Sequence, residues 1–123
     1  MPVDRKELGR RGEDAAARYL ERVGMEVAAR NWRCPAGEID VVAWDEGVLV
    51  LCEVKTRRSL RAGTPEEAVS PTKQRRLARL ARAYLAEHGS RVHQVRFDVV
   101  AIHVLAEDRA LLRHHRDAFD VPA

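Results

Sequence analysis

The sequence predicts an α/β domain, a mixed central β-sheet flanked by α-helices. Three observations lead there. Residues 4–23 and 70–88 repeat apolar side chains at three- and four-residue spacing, the period of a helix buried on one face. Residues 39–43 and 48–54 are apolar runs on either side of Asp45-Glu46-Gly47, the pattern of a β-hairpin. A further apolar run, Val95 to Val104, follows the second helical stretch. The expected order is α-β-β-β-α-β and a tail. With 123 residues, the chain reads as one domain, residues 1–123, large enough to form a core without disulfide or metal staples.

In the first helix Ala15, Ala16, Tyr19, Leu20 and Val23 form the apolar stripe. Asp4 can cap it, with Glu7 three residues on, and Gly24 can end it. Met25 to Trp32 reads as a first strand, and Pro35-Ala36-Gly37 as a turn. Val48 to Val54 is apolar on both faces until Glu53, which marks a central strand covered from both sides. Residues 56–65 read as a basic loop with Gly63 and Pro65, and Pro65 to Val69 as the start of a short helix. Ser70 and Pro71 suit an N-cap and a first helical position. That helix should run to His88 and stop at Gly89, burying Leu77, Leu80, Ala81, Tyr84 and Leu85. Arg75, Arg79 and Arg82 share a separate stripe of it. Asp98 interrupts the strand that begins at Val95, and Leu111 to Phe119 allows a last strand or a short helix.

Hydrophobic residues make up 46% of the chain and charged residues 33%, the balance of a soluble globular protein. No stretch approaches the roughly 18–20 apolar residues of a membrane span. The N-terminal MPVDRKELGRRGED lacks the apolar centre of a signal peptide. A cytoplasmic protein without a membrane partner is expected. Cys34 and Cys52 form no C-x-x-C pair, which argues against a zinc ribbon or a disulfide framework. The net charge of +3 is unevenly spread. Residues 55–82 hold Lys55, Arg57, Arg58, Arg61, Lys73, Arg75, Arg76, Arg79 and Arg82 against Glu66 and Glu67, so that block is +7 and the remainder −4. A localised basic block fits a polyanion such as nucleic acid; a solvated helix face is the alternative.

The hairpin holds four charges where burial is expected: Glu38, Asp40, Glu53 and Lys55. If Glu46-Gly47 is a two-residue turn, Asp45 pairs with Val48, Asp40 lies opposite Glu53, and Glu38 opposite Lys55. All four then share one face. Directly opposite Cβ atoms are about 4.5–5.5 Å apart, so Asp40 and Glu53 could share one divalent cation. A three-residue loop would separate them unless a bulge restored the match. Unbound, the paired carboxylates repel and raise a pKa. Oxygen ligands and retained waters suit Mg²⁺ or Mn²⁺. Lys55 could hold a phosphate or orient the attacking water. It is one of only three lysines against 19 arginines, so it is not background composition. A structural salt bridge of Lys55 with Glu38 or Glu53 is the alternative.

Asp40, twelve residues, and then Glu53-Val54-Lys55 resembles the PD-(D/E)xK nuclease motif, although no proline precedes Asp40. Further matches are Gly12-Glu13, Asn31-Trp32-Arg33, Gly37-Glu38-Ile39-Asp40, Glu53-Val54-Lys55-Thr56-Arg57, Lys73-Gln74-Arg75 and Arg96-Phe97-Asp98-Val99. Together, from about Leu8 to Phe119, these resemble the small bacterial YraN family. That family is predicted to be endonuclease-like and is similar to archaeal Holliday-junction resolvases. The resemblance implies a restriction-endonuclease-like fold and metal-dependent hydrolysis of phosphodiester bonds, with branched or structured DNA as the favoured substrate. It implies catalytic roles for Glu13, Asp40, Glu53 and Lys55, with Asp40 and Glu53 as metal ligands. For Glu13, an exposed glutamate paired with Arg10 or Arg18 is the alternative. Glu38 and Gln74 would support the site from behind its ligands; for Gln74, a solvent-facing residue is the alternative. Arg57, Arg58, Arg61 and Lys73 would contact phosphates, and Arg75, Arg79 and Arg82 could extend that track. Symmetric cleavage of a junction needs two active sites, so a homodimer is expected by analogy.

The remaining candidates read as structural. His88, His93, His103, His114 and His115 share no metal-ligand spacing and are expected mostly at the surface. Cys52 is expected in the core, and Trp32 and Trp44 in core or hairpin packing rather than stacked on bases. The rival functions are a nucleic-acid-binding module of the same fold without catalysis, and an interaction protein whose acidic hairpin binds a partner.

Overall fold

A computed structural model describes residues 4–58, 70–88 and 94–118. The elements in chain order are α1 (Arg5–Arg22), β1 (Glu26–Cys34), β2 (Gly37–Asp45), β3 (Val48–Arg57), α2 (Pro71–Glu87), β4 (Val95–Ala106) and β5 (Arg109–His115). Each terminus has a local cause. The Asp4 carboxylate accepts from Glu7 N at 2.8 Å, and Gly24, at φ 101°, turns the chain out of α1. Glu46 and Gly47 have φ of 49° and 86°, the left-handed pair that a tight two-residue hairpin requires. Ser70 Oγ accepts from Lys73 N, and Pro71 occupies the first turn of α2.

The strands form one five-stranded sheet in the order β1-β2-β3-β4-β5. Its pairings are antiparallel except for β3 with β4. A parallel pair needs a crossover, and α2 lies in it. Two cores result. On one face Ala16 and Leu20 of α1 pack on Val41, Ala43, Val50, Cys52, Val100 and Ile102. On the other, Leu77, Leu80, Ala81 and Tyr84 of α2 pack on Ile39, Val42, Leu49, Leu51 and Phe97. β3 is central and buried from both sides, as its apolar run predicts, and Cys52 is a fully buried core residue.

The structure moves several sequence-based boundaries. β1 is shifted towards Cys34, and Thr56 and Arg57 belong to β3 rather than to a loop. The tail forms a strand, β5, because it pairs along β4 from Val99 to Ala106. Arg61, the expected short helix at Pro65–Val69, Gly89 and Phe119 lie outside the described residues. Trp32 and Trp44 pack against the α2-side core, with Trp32 edge-on to Tyr84 at 5.2 Å.

Candidate functional site

The β2–β3 register has the predicted form: Asp45 pairs with Val48, Trp44 with Leu49, and Val41 with Cys52. Alternate pairs in such a ladder exchange main-chain hydrogen bonds, and the pair closing a two-residue turn is one of them. Continued to the next bonded pair, the ladder would bring Val54 to Ile39. The paired register instead stops at Val41, and Val54 N donates to Asp40 Oδ2 at 2.8 Å. The carboxylate thus replaces a main-chain acceptor where the strands part.

The pleat also breaks here. Ile39 and Val42 both lie in the α2-side core although they are three residues apart, so Asp40 and Val41 fill a step that strict alternation does not allow. β1 is irregular in conformation at the same step, although its shift of register lies between Val27 and Ala29. Arg30 pairs with Val41 and Trp32 with Ile39, which sets Asn31 across from Asp40. Asn31 has φ 52°, a left-handed conformation that Asn tolerates better than most residues. This break corrects the expectation that Glu38, Asp40, Glu53 and Lys55 share one face. Glu38 falls on the α1 face, where it pairs with Arg33 at 3.5 Å rather than with Lys55.

On the α2 face, Glu53 is buried at 7% exposure. Its Oε2 lies 3.9 Å from Lys55 Nζ and its Oε1 lies 3.5 Å from Lys73 Nζ. Burial and the neighbouring Glu53 carboxylate, in that order, raise the Asp40 pKa from 3.8 to about 7. Burial, followed by contact with Lys73, lowers the Lys55 pKa from 10.5 to about 8, against the pull of Glu53. Lys73, grouped by sequence with the phosphate-contacting arginines, is therefore part of the acidic centre. The signal was available: Lys55 and Lys73 are two of the three lysines in the chain.

Glu13 reaches the same centre from the α1 face. Burial raises its pKa, and the Asn31 side chain hydrogen-bonds it against that trend. Glu38 and Asp40 both sense its charge. Arg10 pairs with Glu7 instead. Gly12 makes this approach possible: a Cβ there would collide with Thr56 Oγ1 on β3. Asp40 thus stands in the gap between Glu13 on one side of the sheet and Glu53, Lys55 and Lys73 on the other.

Asp40 and Glu53 fit a hard divalent cation by donor type, and their mutual repulsion is what a cation would relieve. Glu13 is the further carboxylate within electrostatic reach. Among the described residues, no group of three or more His, Cys, Asp or Glu side chains is arranged to hold a metal ion. The two acids would leave the remaining positions of Mg²⁺ or Mn²⁺ to water and substrate oxygens.

The basic residues divide. Arg57 is half-buried at the end of β3 and donates to Thr56 O at 3.0 Å, and Arg58 is exposed beside it. Arg75, Arg79 and Arg82 are exposed on the side of α2 opposite Leu77, Ala81 and Tyr84. Helical geometry turns this stripe away from the sheet. Gln74 is half-buried in the first turn of α2. Arg76, counted in the basic block but given no role by sequence, lays its stem against Gly37, whose φ of 137° and missing Cβ leave room for it.

A second polar network sits on the α1 face, towards the hairpin turn. Asp98, 1% exposed, accepts two bonds from Arg96 at 2.9 and 3.0 Å, one from His114 Nε2 at 2.7 Å and one from Asp117 N at 3.0 Å. Arg96 and Arg116 both reach Asp45, and the other ring nitrogen of His114 meets the Tyr19 hydroxyl at 3.2 Å. Burial alone would raise the Asp98 pKa; the bonds from His114 and Arg96 outweigh it and lower the value to about 2. The histidine expectation is corrected accordingly. His114 is buried as a clamp, His103 and His115 are half-buried, and His88 alone of the described histidines is exposed, stacked on Tyr84.

The molecule is an α/β protein with a mixed five-stranded sheet, compatible with a restriction-endonuclease-like fold, and with an acid–lysine centre where its central hairpin opens. It belongs to the Uncharacterised protein family UPF0102, which matches residues 12–102; this is the YraN family that its motifs resemble. Similar proteins include a UPF0102 protein of Nocardia farcinica (strain IFM 10152), 47% identical over 94% of this chain and 91% of that one. A UPF0102 protein of Acidothermus cellulolyticus (strain ATCC 43068 / DSM 8971 / 11B) is 49% identical over 94% and 95%. One of Rhodococcus opacus (strain B4) is 51% identical over 91% and 95%.

Proposed function

We propose that this protein is a metal-dependent endonuclease hydrolysing phosphodiester bonds, with branched or structured DNA as its favoured substrate. One observation carries the reading. Two carboxylates, half-buried Asp40 and buried Glu53, repel each other at a break in the central sheet, beside the half-buried Lys55 on the strand of Glu53. Such a pair is costly for a merely structural role, and perturbed acids of this kind cluster at functional sites.

Bound between Asp40 and Glu53, Mg²⁺ or Mn²⁺ would polarise the phosphate and acidify water. The Val54 amide fixes one oxygen of Asp40 and so sets the direction of the other. Lys55, with its pKa lowered to about 8, orients the attacking water and can take a proton from it near neutral pH. Glu13, held by Asn31, adds an acceptor from the α1 side. Arg57, Arg58 and Arg76 supply sequence-independent phosphate contacts. A single chain carries one such centre, so symmetric junction cleavage calls for a homodimer.

The test is cleavage of labelled four-way junction, flap, single-stranded and duplex DNA with Mn²⁺ or Mg²⁺ against EDTA. Cutting should need the metal and fall by at least about 100-fold in Asp40→Asn and Glu53→Gln, the scale of losing a metal or general-acid–base contribution. Cutting that survives both substitutions would sink the assignment. A second reading has its own support: both Glu53 oxygens already face ammonium groups. A binding module without catalysis would hold junction DNA in a salt-dependent way and cut none of the four substrates.

A further inference from the structure

Glu53 is held by two cations of different origin. Lys55 comes from its own strand, two residues on. Lys73 comes from the first turn of α2, a turn fixed by the Ser70 cap. The Lys73 side chain is 18% exposed against 9% for Glu53, so more of it meets solvent than of the carboxylate it pairs with. At 3.5 Å from Oε1, it competes with any other cation for that oxygen.

We propose that Lys73 is a phosphate-binding residue that exchanges Glu53 for the substrate phosphodiester, so that nucleic acid and the divalent cation bind with positive coupling. The inference rests on the hydrolytic reading of the site. While Lys73 stays on Glu53, it neutralises the carboxylate and weakens its hold on a cation. A phosphodiester that draws the ammonium away releases Oε1 and adds its own negative charge beside Asp40 and Glu53. Linkage makes the effect reciprocal: the cation strengthens nucleic-acid binding by the same factor. A lysine suits such an exchange because its ammonium turns freely on a flexible stem.

The test is Mn²⁺ binding to the full chain at neutral pH, followed by the electron paramagnetic resonance signal of free Mn²⁺. The proteins are the parent, Lys73→Met, Lys73→Arg and Asp40→Asn. Each is measured alone and with a four-way junction carrying phosphorothioate linkages, with junction-only blanks subtracted. Without DNA, Lys73→Met should bind Mn²⁺ about ten-fold more tightly than the parent, because a nearby positive charge is gone. Adding the junction should tighten Mn²⁺ binding several-fold in the parent and in Lys73→Arg, and clearly less in Lys73→Met, where only the charge of the phosphodiester itself acts. The inference is overturned if Lys73→Met binds Mn²⁺ no more tightly than the parent, or if the junction tightens both alike. Asp40→Asn separates the two levels. Parent binding that this substitution abolishes upholds the metal site whatever Lys73 does. Absence of Mn²⁺ binding in every protein overturns the hydrolytic reading and the coupling with it. Lys73→Gln gives the same comparison if circular dichroism shows Lys73→Met unfolded.

Discussion

At Asp40, burial and the adjacent Glu53 carboxylate both favour the protonated form, and the pKa rises to about 7. The value in the unfolded chain is 3.8, so the folded state holds the proton more tightly between the two. This contribution to stability is fully present below pH 3.8 and is lost as pH rises through about 7. Asp40→Asn keeps an oxygen for Val54 N–H and removes the charge. In EDTA near pH 8 it should be more stable than the parent by roughly 1–3 kcal/mol, with the advantage gone near pH 4. Thermal melts at both pH values check this; an Asn variant that melts with or below the parent at the higher pH would show that the carboxylate carries no such burden.

At the scale of elements, the centre depends on how closely α1 approaches β3. Gly12 lies mid-helix, where alanine would ordinarily be better by about 1 kcal/mol. Here the added Cβ meets Thr56 Oγ1, and overpacking of this kind costs about 1–3 kcal/mol. Gly12→Ala should therefore destabilise the fold and pull Glu13 away from Asp40. Adding Thr56→Ala should recover most of the loss. Denaturant unfolding of the two single variants and the double variant measures the coupling; additive effects would mean that the helix accommodates the methyl elsewhere. β5 is tied down in a similar local way. His114 joins Asp98 on β4 to Tyr19 on α1, which fixes the edge strand against the first helix.

For the whole molecule, the two polar networks respond to pH in opposite senses. Asp98, lowered from 3.8 to about 2, contributes stability that is present above pH 3.8 and is lost as pH falls through about 2. Asp40 contributes stability that is lost as pH rises through about 7. Without metal, these two groups together place the stability maximum near pH 4, with a decline from there to about pH 7. A cation binding the ionised pair adds stability only where the carboxylates are deprotonated. Saturating Mn²⁺ should therefore raise the Tm markedly near pH 8 and little near pH 5. Equal shifts at both pH values, or none, would count against Asp40 and Glu53 as the ligands.

The sequence by itself determined most of the frame. Helical spacing, the Asp4 and Ser70 caps, the Glu46-Gly47 turn and the two-sided run of β3 are local signals, and each specifies its element with little help from the rest of the chain. The hairpin register also followed from the turn, as far as the pairing of Val41 with Cys52. The tertiary structure decided which charges face one another. Alternation along a strand assumes an unbroken pleat, and the break at Asn31 and Asp40 moves Glu38 to the α1 face and lets Asp40 bridge both sides. Lys73 reaches Glu53 only because the parallel pairing of β3 with β4 carries α2 across that face. The burial of His114 depends on β5 folding back along β4. These contacts join residues far apart in the chain, where periodicity and capping carry no information, and packing of the two helices on opposite faces of the sheet is what brings them together.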